Sequence, residues 1–197
     1  MCANPFPSST SRSTCSLELV HSNVHQVPYP TFSGYCYWVT FIDDYLRYHF
    51  VLPIHAKSDV FNAFKQFKAF AENQCEWKIK TLYDDKEGEY MSNAMLKFTT
   101  KCRIEHQHTV QAWSQQNGVA ECANYVLLEW ITTMLAESGL TMAFWGKALT
   151  TLVRVWNWCP TAALDNAIPY KLWHGHNPDV SHPWVWGSTA YVHIVWV

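Results

Sequence analysis

Charge is scarce in this chain. Asp, Glu, Lys and Arg together make up 15% of the 197 residues, where about a quarter is usual for a soluble domain. Lys and Arg number 14 against 16 acids, a formal net charge of −2. That balance excludes nucleic-acid binding by a bulk basic field, and the ten histidines add positive charge only below about pH 6.5. No apolar run approaches the roughly 20 residues a membrane span needs. The opening "MCANPFPSSTSRST" lacks the apolar segment of a secretory signal. Seven cysteines, at positions 2, 15, 36, 75, 102, 122 and 159, include no C-x-x-C pair, so neither a zinc ribbon nor a redox motif is supported. No internal repeat is present. These absences point to a reduced intracellular protein, nuclear or cytoplasmic, with no membrane partner.

What is present is a core-forming chain: 49% hydrophobic residues, with 11 Trp. Residues 1–15 are rich in Ser, Thr and Pro and predict an extended arm. "LELVHSNVHQVP", residues 17–28, alternates Leu17, Leu19 and His21 against Glu18, Val20 and Ser22. It predicts a half-buried strand that delivers Asn23 at its C-terminal end, before the turn signals Pro28 and Pro30. Residues 34–43 and 48–54 predict two strands of a hairpin around "DYLR". Residues 58–74 place Val60, Phe61, Phe64, Phe67, Phe70 and Ala71 at helical spacing, with Ser58 as N-cap and Asp59 as a first-turn acid. Residues 77–85 and 103–108 predict further strands, separated by a short helix over 93–100. A long helix is expected over 117–140, with Val119, Val126, Leu127, Trp130, Ile131, Met134 and Leu135 on its apolar side and Gly139 ending it. A second covers 142–160, stopped by Pro160. A short helix over 169–175 has Pro at its first position. The tail from residue 184 reads as strand. The order of elements predicts a mixed sheet with helices packed on it, with a core over 16–160 and a truncated extension over 161–197.

Two acids stand out by position. Asp85 ends the strand "IKTLYDD", and Glu121 lies near the start of the long helix after "WSQQNG". A strand-end Asp and a helix-start Glu can meet above one sheet edge. Magnesium asks for little more, since it takes one or two carboxylates with water and substrate phosphates. Two such ions roughly 4 Å apart support phosphoryl transfer. A lone Asp and a lone Glu are also the commonest of surface groups, and Asp43 and Asp44, ending the neighbouring strand, compete as the acidic centre. His174, His176 and His182 near Trp173 could be imagined as a metal cluster, but four convergent ligands would be needed for tetrahedral zinc. They read better as solvent-facing residues around a turn.

The blocks "LELVHSNV", "GYCYWVTFIDDYLRY", "KIKTLYDDKEGEY", "SQQNGVAEC", "LLEWITTML", "FWGKALTT", "NWCPTAAL" and "PYKLWHGHNPDVSHPWVWGSTAYVHI" resemble, in this order, the integrase catalytic core of copia-type LTR retrotransposons. The resemblance runs from about residue 12 onward. It implies an α/β fold, a ribonuclease H-like mixed sheet flanked by helices. It also implies a triad of two Asp and one Glu holding two Mg2+ or Mn2+ ions, and a reaction that trims DNA ends and joins them to target DNA. The implied partners are double-stranded DNA and further copies of the chain. On this resemblance the second Asp falls on Asp85 and the Glu on Glu121, with 35 residues between them. The first Asp falls on Asn23. Gln115, Gln116 and Asn117 are expected in a loop over the DNA, and among the few basic residues Lys80, Lys86, Lys101 and Arg103 are the expected phosphate contacts.

The departures cluster near the chemistry. Asn23 has lost the charge of the first ligand. Lys86 and Glu87 stand where the family usually carries an Asn and a Gly, and Lys86 sets a cation beside Asp85. Cys122 replaces an Arg directly after Glu121; Ser114, Leu46, Cys36 and Trp158 are further replacements. Asp to Asn, Gly to Glu, Arg to Cys, Arg to Trp, Ser to Leu and Pro to Ser are each one C-to-T change on one strand or the other. That pattern fits decay by cytosine deamination, though Ala112 and Trp113 do not follow it; drift under a non-catalytic role is the rival account. The sequence therefore predicts an integrase-like domain, catalytically impaired, with a non-catalytic DNA- or protein-binding module as the alternative.

Overall fold

The computed structural model describes residues 12–85, 88–108, 118–189 and 191. Five strands form one mixed sheet: β1 (Leu19–Gln26), β2 (Tyr37–Asp43), β3 (His49–Ile54), β4 (Thr81–Asp84) and β5 (Glu105–His108), in the order β3-β2-β1-β4-β5. The first three are antiparallel, and β1, β4 and β5 run parallel. Pro53, which cannot donate to a ladder, sits in the edge strand β3, where that defect is tolerated.

The half-buried strand expected at 17–28 is instead buried on both faces from Val20 to Asn23. Its place between β2 and β4, with helices on either side, is the reason. It also begins later and runs on to Gln26, so Asn23 lies within the strand, opposite Thr40, and not at its C-terminal end. Leu17 has φ 60°, a left-handed conformation that disfavours a side chain. It is held there by its N–H donating to Asp43 Oδ2 at 2.6 Å.

Helices cover both faces. Helix α1 (Val60–Gln74) buries Val60, Phe64 and Phe67 against Val20, Val39, Phe41 and Leu82. Ser58 is not its cap. A 3-10 turn over Lys57–Asp59 precedes the helix, and Asp59 Oδ2 accepts the Ala56 N–H at 3.1 Å. Helix α2 (Asn93–Cys102), capped by Ser92, adds Met95 to this layer.

On the other face, α3 (Gly118–Ser138) and α4 (Trp145–Trp158) enclose Trp38 with Leu127, Ile131, Leu135, Trp145 and Leu149. Each such side chain contributes about 1.5–3 kcal/mol by leaving water. The buried stripe of α3 runs through Ala120, Ala123, Asn124, Leu127, Ile131 and Leu135. Trp130, expected on the apolar side, is 41% exposed and packs at the rim on Trp156.

Helix α5 (Pro169–His174) places Trp173 in the first core, stacked on Tyr48 at 4.7 Å. Part of segment 161–197 thus shares the core. Residues 184–189 and 191 form no strand; the remainder of the expected tail strand lies outside the described residues. No described helix is long and apolar enough to cross a membrane.

Candidate active site at the strand ends

Parallel pairing of β1 and β4 matches Leu19 with Thr81 and His21 with Tyr83. Continued by two residues, the same register sets Asn23 beside Asp85. The contact is direct: Asn23 Nδ2 donates to Asp85 Oδ2 at 3.1 Å.

The orientation of that amide is fixed from behind. Trp38 Nε1 can only donate, and it donates to Asn124 Oδ1 at 2.9 Å, as does Thr40 Oγ1 at 2.5 Å. Asn124 must therefore turn its NH2 outward, where it donates to Asn23 Oδ1 at 2.7 Å. Asn23 is left with only its own NH2 to offer Asp85. The whole relay is buried, with Thr40 fully inaccessible and Asn23 at 8%. An aspartate at position 23 would accept from Asn124 equally well, but its second oxygen would meet the Asp85 carboxylate at hydrogen-bond distance. The amide does locally what a cation would otherwise do.

Glu121 lies in the first turn of α3 and is exposed. It precedes Asn124 by one helical turn, and residues so spaced are neighbours at about 5–6 Å between Cβ atoms. The helix N-terminus favours its negative charge. Asn23 and Asp85 are thus in contact, and Glu121 stands one turn from the residue that locks them. Lys86, Gln115, Gln116 and Asn117 lie outside the described residues.

Lys80, Lys101 and Arg103 are at the other end of the sheet. Lys80 immediately precedes β4, five residues from Asp85, or about 16 Å along an extended strand. Its Nζ meets Glu18 Oε1 at 3.3 Å. Hydrogen bonds from Thr14, then Lys80, lower the Glu18 pKa to about 2. Lys101 is in the last turn of α2, and Arg103 caps that helix at φ 58°. Because β4 and β5 are parallel and start together, with Thr81 opposite Glu105, the approaches to both strands gather at the end remote from Asp85.

The competing acids are structural. Asp43 accepts the Leu17 and Leu46 N–H groups, each at 2.6 Å. Burial raises its pKa, partly offset by those bonds. Burial also pushes Asp44 upward, but His21, the Ser13 N–H and Arg47 at 3.0 Å outweigh it and hold the carboxyl below the ordinary range.

His174 and His176 flank Tyr170 with ring centres 6.0 Å apart, and His182, 85% exposed, pairs with Asp179 at 3.2 Å. Among the described residues, the group of donors close enough to share a metal is Asp84, His106 and His108, which the sequence reading passed over. Its signal was an H-x-H on a strand, which puts both rings on one face. Only the register with β4 brings Asp84 to them. A cavity of about 1000 Å3 lies between α4 and residues 179–189 and 191, and touches none of Asn23, Asp85 and Glu121.

No protein-family model matches the chain. It is 34% identical over 190 residues, 96% of its length, to the retrovirus-related Pol polyprotein from transposon TNT 1-94 of Nicotiana tabacum. It is 29% identical over 187 residues, 95% of its length, to that from transposon RE1 of Arabidopsis thaliana. The chain spans only 14% and 13% of those relatives. Among solved structures, it shares its fold with the HTLV-2 integrase catalytic core domain in complex with magnesium, in a trimeric form. There the TM-score is 0.63 at 15% identity, covering 83% of this chain and all of that one. It also superposes on a chain of the simian T-cell lymphotropic virus intasome in complex with PP2A regulatory subunit B56 gamma. That match has a TM-score of 0.68 at 12% identity, covering 93% of this chain and 62% of that one.

Proposed function

We propose, for a chain that is an integrase-core-like domain homologous to a stretch of retrotransposon Pol polyproteins, that Asn23, Asp85 and Glu121 occupy the ligand positions of an ancestral DNA-joining centre, and that the chain as it stands is catalytically impaired. The observation that carries this reading is the Asn23 Nδ2 to Asp85 Oδ2 bond of 3.1 Å, locked from behind by Asn124.

The residues fit one divalent ion better than two. Asp85 and Glu121 supply two carboxylates, enough for a magnesium or manganese ion that completes its shell with water and phosphate oxygens. Position 23 offers no bridging carboxylate, and both polar atoms of its amide are already bonded. An ion held there would supply Lewis-acid stabilisation, worth several kcal/mol of barrier when two ions act together. Losing about 4 kcal/mol of it slows a reaction roughly a thousandfold. The chain's own contribution is to hold the Asp85 carboxylate in a fixed place and to shield one oxygen of it with an amide.

DNA is the proposed partner, and assembly with further copies of the chain belongs to the same reading. With 14 basic residues against 16 acids, binding to duplex DNA is weak and steeply salt-dependent.

The test is strand transfer in manganese, comparing the unmodified chain with Asn23→Asp and with Glu121→Gln. The expected result is no detectable joining by the unmodified chain, and metal binding at least about tenfold tighter in Asn23→Asp with little recovered activity. Efficient joining by the unmodified chain, abolished by Glu121→Gln, would show that an amide at position 23 suffices.

A further inference from the structure

The register of the two short parallel strands also builds a second cluster. Leu82 pairs with His106 and Asp84 with His108, so alternation places these four side chains on one face. It is the face of Val20, Leu82 and Tyr90, opposite to the one on which Asn23 meets Asp85.

Asp84 is completely buried, His106 is 8% exposed and His108 20%. One carboxylate oxygen of Asp84 contacts His106 Nε2, and the other lies 2.8 Å from His108 Nδ1. The two rings are 4.4 Å apart, and the three donor atoms all lie within 4.8 Å of one another. A fully buried carboxylate requires compensation. Here two imidazoles converge on it, one of them at the surface.

We propose that Asp84, His106 and His108 bind one borderline-soft divalent cation of the zinc class, at a site separate from Asn23 and Asp85. Two imidazole nitrogens and one carboxylate oxygen are the donor set of many zinc sites that keep a fourth position for water. Imidazole favours zinc, cobalt, nickel and copper, whereas magnesium prefers an all-oxygen shell. Partly exposed His108 gives the ion its way in. His106 Nδ1 is buried without a hydrogen-bond partner among the described residues. The site therefore lacks the outer support usual for a ligating imidazole, which weakens affinity about 10–100-fold. The bound ion pins edge strand β5 to β4 at the end that presents Asp85. The proposal is independent of whether the Asn23–Asp85 site joins DNA.

The experiment is titration of the whole chain, with its cysteines kept reduced, by Zn2+ calorimetrically and by Co2+ in visible absorption. We expect one equivalent bound, no competition from millimolar Mg2+, and a Co2+ spectrum without thiolate charge-transfer bands. His108→Gln and Asp84→Asn each weaken binding by about 100-fold or more. Asp85→Asn, Glu121→Gln and His174→Gln leave it within about twofold. Should Asp84→Asn fail to fold, imidazole nitrogen resonances of the unmodified chain decide the matter, because Zn2+ should shift those of His106 and His108. Undiminished binding in His108→Gln, thiolate bands with Co2+, or imidazole shifts confined to other histidines would overturn the proposal.

Discussion

Asp84 and Asp85 are adjacent in the chain and face opposite layers of one sheet, and the two layers handle a carboxylate differently. On the α3 side, Asp85 meets neutral amides: Asn23 donates to it, Asn124 orients Asn23, and Trp38 and Thr40 orient Asn124. On the α1 side, Asp84 meets two imidazoles, groups able to take a metal. The first arrangement chains three side-chain layers together, with both the oxygen and the NH2 of Asn23 and of Asn124 engaged. The second groups one carboxylate with two imidazoles, a donor set that suits a cation. A strand's two-residue period is enough to separate them.

The strongest way to break this contrast is to remove the keystone of the amide relay. Asn124→Leu leaves Trp38 Nε1, Thr40 Oγ1 and Asn23 Oδ1 buried without that partner. At about 1–3 kcal/mol for each unsatisfied group, we expect a loss of about 3–5 kcal/mol in urea unfolding. A loss below about 1 kcal/mol would mean that water can replace the amide.

The α3 and α4 layer also contains a buried imidazole, His49. His49 stacks on Trp156 and is fully desolvated, which lowers its pKa from 6.5 to about 4. The unfolded chain therefore binds more protons than the folded chain between those values. Stability is present in full above about pH 6.5 and falls as pH drops towards 4, by up to about 3 kcal/mol. The depressed Asp44 adds to acid loss, and the raised Asp43 opposes it. His49→Phe should flatten the pH 4 to 6.5 limb of a stability profile; an unchanged limb would assign it to other groups.

Asn23→Asp sharpens the contrast by turning the amide layer into one that needs a cation. Without metal, the new carboxylate faces Asp85 at hydrogen-bond distance, and we expect about 1–2 kcal/mol of destabilisation at neutral pH. Millimolar Mn2+ should recover it in thermal melts, while the unmodified chain responds little. Equal responses of the two chains would remove the role given to the amide.

The smallest effect is expected at the far end of the sheet. The Lys80–Glu18 pair is exposed, so Lys80→Ala should leave the urea unfolding midpoint close to that of the unmodified chain. It should also leave Mn2+ binding by the Asn23→Asp chain unchanged. A large change in that affinity would reveal a coupling across the sheet that distance alone does not suggest.

Much of the architecture was legible in the residues. Alternation points to β1 and β4, aromatic and β-branched content with a hairpin turn to β2 and β3, and α1 follows from Phe64 and Phe67 at helical spacing. Gly175 ends α5 at φ 77°, as a C-terminal glycine should. The misreadings have local causes. Leu17 was counted into β1 because an apolar residue looks alike in a strand and in a left-handed turn pinned by Asp43. Trp130 was counted into the core because a helical stripe has edges, and only the neighbouring α4 decides which edge is covered.

The sequence by itself located an Asn at 23 in a strand, an Asp at 85 closing another and a Glu at 121 opening a helix; that the three belong to one site is what the resemblance to an integrase core implies. These placements are legible because strand period and helix period are local properties. Only the tertiary structure decided what Asn23 does with its two polar atoms, since the answer depends on Asn124, Trp38 and Thr40, residues from other elements. The same holds for the grouping of Lys80, Lys101 and Arg103 away from Asp85, and for the meeting of Asp84 with His106 and His108. Pairing register between strands fixes these, and register is set by long-range packing that no single stretch of the chain contains.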